Sequence, residues 1–151
     1  IMYNVLEEIP QVTRLMQIGV RDYCQEEYDY ILSTGDRVFT YTDKTIKEKM
    51  YEGITWRTIT DQIIDYLPQQ VYISFDVDGL DPKLCPNTGT PVPGGFEVDQ
   101  LMYLFKRLRL SGRQIIGFDL VESGIGEHDW DSNVAARILW RMCNLMLKND
   151  N

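Results

Sequence analysis

Histidine is almost missing from this chain of 151 residues: His128 is the single one, in the polar stretch Gly126-Glu127-His128-Asp129-Trp130. Cysteine is scarce as well. Cys24, Cys85 and Cys143 are odd in number, far apart and without a Cys-x-x-Cys pair. That excludes a zinc knuckle and a disulfide framework and suits a reducing, cytoplasmic setting. Basic residues are outnumbered, with 15 Lys and Arg against 23 Asp and Glu and a formal net charge of −8. Such a balance argues against nucleic acid, whose phosphates need Lys and Arg, and weakly favours a cationic small molecule through long-range attraction. No apolar run reaches the length of a membrane span, and no signal peptide is visible. A Gly-x-Gly-x-x-Gly opening a helix is also missing, so the glycines answer backbone demands rather than phosphate.

What is present reads as one globular domain. Hydrophobic residues make up 44% and charged residues 25%, values that leave enough apolar surface for a core. Apolar spacing predicts helices over 2–9, 25–33, 44–51, 56–67 and 98–110, and a last helix with the stripe Val134, Ile138, Leu139, Met142, Leu145 and Met146, capped by Asp131 or Ser132. Short β-branched runs predict strands over 14–20, 38–41, 71–75 and 114–120, with Gly19 marking a close backbone approach. Strands alternating with helices predict an α/β fold with a mostly parallel sheet, and the site at the carboxyl ends of its strands.

Residues 71–95 carry the most chemistry. An apolar run, Val71-Tyr72-Ile73-Ser74-Phe75, delivers Asp76 and Asp78, then Gly79-Leu80-Asp81-Pro82. In a strand, positions i and i+2 share a face, with Cα atoms roughly 6.5–7 Å apart. Two such carboxylates repel each other unless a cation lies between them, and hard divalent ions take oxygen ligands. A bare Asp-x-Asp is equally at home in turns. The full string resembles the Ser-x-Asp-x-Asp-x-x-Asp-Pro motif of the ureohydrolases, the arginase and agmatinase family. Thr88-Gly89-Thr90-Pro91-Val92-Pro93-Gly94-Gly95 is similar to the loop that follows it there.

The resemblance implies a three-layer αβα arginase-like fold. It also implies hydrolysis of a guanidino group, as in arginine or agmatine, to urea and an amine by two manganese ions. Asp76 would bridge both ions and Asp78 would bind one. Glu122 would pair with the guanidinium in catalysis, and Thr90 would border the substrate. The family's remaining ligands come from Gly-Gly-Asp-His and Asp-Ala-His-x-Asp stretches, neither of which occurs in this chain. His128 fits neither pattern, and a plain loop role outweighs a metal or proton-shuttle role for it. The chain is therefore expected to be the C-terminal part, 1–151, of a single ureohydrolase domain truncated at its N-terminal side. It would be inactive alone and form a homo-oligomer when full length. A natural short form is the weaker alternative, because a sheet cut in mid-fold exposes a strand edge. Formimidoylglutamase chemistry and a non-catalytic assembly role are the competing functions. Three departures bear on substrate choice. Cys24 stands where arginases carry an acid after Arg21-Asp22, Asn87 replaces Gly or Ala, and Glu122 is followed by Ser123-Gly124-Ile125.

Overall fold

The computed structural model describes residues 1–147; positions 148–151 of the expected domain lie outside the described residues. Helices and strands follow in the order α1 (Met2–Glu8), β1 (Leu15–Val20), α2 (Gln25–Ser33), β2 (Val38–Thr42), α3 (Asp43–Tyr51), α4 (Trp56–Tyr66), β3 (Gln70–Asp76), α5 (Val98–Leu110), β4 (Gln114–Val121) and α6 (Trp130–Leu147). The alternation is the expected α/β one, and every strand pair is parallel.

Local chemistry sets the helix limits. Thr42 and Thr55 precede α3 and α4, and each hydroxyl accepts from a first-turn amide, Thr45 N at 3.1 Å and Thr58 N at 3.2 Å. This satisfies donors that the helix itself leaves open. Helix α4 stops before Pro68, with Leu67 already extended, as a residue ahead of proline prefers. Helix α6 departs from its expected cap. It begins at Trp130, and the Asp129 carbonyl accepts from Asn133 N at 2.9 Å. Asp131 falls inside the first turn, buried, because its carboxylate is engaged elsewhere.

The core joins Ile59, Ile63 and Ile64 of α4, Leu101, Leu104, Phe105 and Leu108 of α5, and Val134, Ile138 and Met142 of α6 with Val71 and Phe75 of β3. Helix α3 buries Ile46 and Asp43. The opposite face of β3 carries Tyr72, Ser74 and Asp76, all exposed. Among the described residues, pairing is divided into two two-stranded sheets, β1 with β2 and β3 with β4. Gly19 interrupts the β1–β2 register at φ +85°, and a side chain there would enter the Phe96 ring. Among the described residues no helix is long and apolar enough to cross a membrane.

Candidate functional site

Strands β3 and β4 end side by side. Asp76 pairs with Val121 across the ladder, so Glu122 is the next residue on the neighbouring strand. One pleat below, the Ser74 hydroxyl donates to Asp119 Oδ1 at 2.9 Å and pins the register under the site. Asp78 is not on the strand as expected. The chain leaves extended geometry after Asp76 and turns through residues 77–79, with Val77 fully buried. Asp76 caps that turn, its Oδ1 accepting from Asp78 N at 3.1 Å. The two carboxylates are still brought together, by a turn rather than by strand alternation.

Their proximity shows in Asp76, whose pKa is pushed up to about 6. Loss of surrounding water is the largest cause; a side-chain hydrogen bond to Asp78 and its charge follow, and Glu122 adds repulsion. Charged forms are disfavoured by desolvation and by like neighbours. Asp76 therefore lies beside Asp78 and within the field of Glu122.

Arg21, just beyond β1, reaches across to the turn. Its guanidinium donates to the main-chain carbonyls of Asp78, Gly79 and Leu80, the last two at 3.3 Å. Asp43 at the start of α3 pairs with Lys47 at 2.9 Å and accepts from Gly95 N at 3.3 Å. The Asp78 turn and the end of the Gly-rich loop are thus anchored from the β1–β2 side.

The loop after Cys85 lies against the loop after β4. Asn87 donates to both oxygens of buried Asp131, from its backbone N and from Nδ2, each at 2.9 Å. A Cβ on Gly124 would overlap the Asn87 carbonyl, and one on Gly126 would overlap the Asn87 side chain. Glu122 adopts φ 60°, a strained conformation for a residue with a side chain, and its carboxylate comes within 3.8 Å of where a side chain on Gly89 would begin. Thr90 follows, exposed, on the same loop. Thr88 is buried, and its hydroxyl lacks a hydrogen-bond partner among the described residues. Burial raises the Cys85 thiol to about 11, helped by the Asp131 and Asp78 charges, which leaves it unreactive. His128 is exposed in the loop before α6.

Sequence reasoning missed the Asn87–Asp131 tie and the Arg21 clamp. The only signal for the first was Asn87 itself, standing where a small residue is usual. Among the described residues no group of three or more His, Cys, Asp and Glu side chains could hold a metal ion. The donors present are hard oxygens carrying uncompensated negative charge, which suits a divalent cation such as manganese. Two carboxylates supply only part of such a shell.

A sequence profile described as the arginase family matches residues 1–144. The N(1)-aminopropylagmatine ureohydrolase of Synechocystis sp. is 35% identical over 107 residues, 71% of this chain and 32% of that protein. The proclavaminate amidino hydrolase of Streptomyces clavuligerus superposes with a TM-score of 0.75 at 26% identity, over 96% of this chain and 46% of that one. The formimidoylglutamase of Bacillus subtilis gives a TM-score of 0.74 at 25% identity, over 96% and 45%. The chain therefore spans less than half the length of these solved structures, and its match covers about a third of the curated relative.

Proposed function

The chain belongs to the arginase family, and on that premise we propose that it is the C-terminal part of a single ureohydrolase domain that hydrolyses a guanidino group to urea and an amine. The observation that carries this reading is the convergence of Asp76, Asp78 and Glu122 at the ends of β3 and β4, with Asp76 raised to about 6 by loss of surrounding water and then by its acidic neighbours. Asp76 and Asp78 are the residues that would hold manganese. Two such ions, when bound, lower the pKa of water towards neutrality and so supply a nucleophile.

The protein's own residues do the rest. Glu122 offers a planar carboxylate that matches a guanidinium in two parallel hydrogen bonds. Thr90 borders the substrate from the adjoining loop. Arg21 holds the turn that carries Asp78. Cys24 heads α2, and the Glu27 side chain accepts from Cys24 N at 2.9 Å. A cysteine there lacks the carboxylate that would pair with an α-ammonium, which favours agmatine-type amines over arginine. Thr88-Gly89-Thr90-Pro91 supports this branch over formimidoylglutamase. The net charge of −8 suits a small cationic substrate rather than nucleic acid. A cytoplasmic homo-oligomer, not attached to a membrane, completes the reading.

The decisive test is urea release from agmatine by the complete domain carrying Glu122→Gln. Loss of the charge pair should lower kcat/KM by about 2–5 kcal/mol. Undiminished kcat/KM would overturn the role of Glu122 and, with it, the guanidino substrate.

A further inference from the structure

Two loops form the substrate side of the site, residues 86–93 with Thr90 and residues 123–128 directly after Glu122. Beyond its own turn at Cys85, the first is hydrogen-bonded to the rest of the chain through Asn87 alone, among the described residues. The second makes no hydrogen bond among the described residues and rests on Asn87 by contact. A Cβ on Gly124 would lie 2.0 Å from the Asn87 carbonyl oxygen, and one on Gly126 would lie 2.4 Å from Asn87 Nδ2. Glycine at both places lets the two backbones approach to a distance that a side chain forbids. Thr90 follows this contact closely along one loop, and Glu122 precedes it closely along the other.

Asn87 is itself held by α6. Asp131 lies in the first turn of that helix with 1% of its surface exposed, and both of its oxygens accept from Asn87. A carboxylate is costly to bury without partners, and the open amides of a helix start favour it there. Two charge-assisted bonds, one from the backbone and one from the side chain, fix orientation as well as place. Trp130, the preceding residue, adds a second tie by donating from Nε1 to the Lys83 carbonyl at 3.0 Å. Helix α6 is rooted in the core through Val134, Ile138 and Met142. The rigidity of the core is thereby carried to two loops that have no regular structure. Asn87 remains exposed, so the tie buries little apolar surface, and what it supplies is geometry.

We infer that Asn87 is a positioning residue: held by Asp131, it sets the separation between Glu122 and the Thr90 loop, and so the width of the slot that takes the guanidinium. This role presupposes the guanidino substrate proposed above. A misplacement of about 1 Å in such a slot can lower a rate about 100-fold. The turn that carries Asp78 is held separately, by Arg21, so loosening Asn87 leaves the metal carboxylates in place.

The test is agmatine hydrolysis by the complete, manganese-loaded domain, with each variant assayed below its own melting temperature. N87A should lower kcat by about 10- to 100-fold at unchanged manganese content. G126A reaches the same contact from the other loop and should lower kcat likewise; if N87A does not fold, G126A decides alone. N87D/D131N exchanges the partners, since residue 131 then accepts from the amide of residue 87 and donates to its carboxylate. The exchanged pair should return kcat to within about threefold of the original. A tie that only stabilises the fold would lower the melting temperature of N87A and leave the kcat of the folded enzyme intact. That result would overturn the positioning role, as would loss of manganese from N87A or an exchanged pair no faster than N87A. Glu122→Gln in the same assay separates this role from the reading beneath it. Full kcat/KM in Glu122→Gln removes the guanidino substrate itself, whereas a slow Glu122→Gln beside a fast N87A removes the positioning role alone.

Discussion

At Asp76 a binding role and stability pull in opposite directions. Its folded pKa of about 6 stands above the ordinary 3.8, so the native state holds this proton more tightly than the unfolded chain does. The penalty is absent below about pH 4, grows as pH rises towards about 6, where the native carboxyl is half ionised, and levels off above that. Asp76→Asn should therefore stabilise the chain at pH 7.5 and leave it unchanged near pH 3.5. A two-unit shift corresponds to about 2.7 kcal/mol, and exposure of the side chain cuts this to about 1 kcal/mol. Thermal melts at the two pH values check it; a less stable variant at pH 7.5 would show that Asp76 is held by favourable contacts instead. In the complete domain the same substitution should abolish activity and lower metal content. The Asp pair was legible in the sequence, but the reason for its proximity was not. Alternation along a strand does not reveal where the strand ends, and the chain turns directly after Asp76, before Asp78 is reached.

Elements were legible wherever their signals were local. The stripe of α4 and the stop at Pro68 lie within a few residues of what they determine. The start of α6 was misplaced because Asp131 is committed to Asn87, 44 residues away, and no local pattern reports such a partner. Asn87→Ala removes one of the two donors to a buried carboxylate and should cost about 2–3 kcal/mol, read as a lower midpoint in urea at unchanged slope. Cys24 heads α2 with only a weak thiol acceptor, and Asp is among the best residues for that position. Cys24→Asp should raise stability by about 1 kcal/mol and, in the complete domain, shift kcat/KM towards arginine relative to agmatine. A stabilised variant with an unchanged arginine-to-agmatine ratio would separate the cap from substrate choice.

On the scale of the whole molecule, the parallel sense of the sheet was legible from the alternation of helices and strands. The division into two pairs was not, because an apolar run does not specify which strand lies beside it. The donor set has the same limit. Two carboxylates cannot fill a divalent shell, so the isolated chain should show no saturable manganese binding below about 1 mM and should release no urea from agmatine or arginine above blank. Urea release by the purified chain would contradict the reading of it as an incomplete domain. Asn87, Gly124, Gly126 and Asp131 come from three segments, yet they meet at one contact. In heredity such positions are not independent. A side chain gained at 126 has no room while the Asn87 side chain holds its place, and Asn87 cannot leave without stranding Asp131; position 124 faces the main chain of residues 87 and 88 and stays glycine whatever residue stands at 87. Lineages of this protein should therefore exchange residues 87, 126 and 131 as a group, and intermediates carrying only one change should be rare.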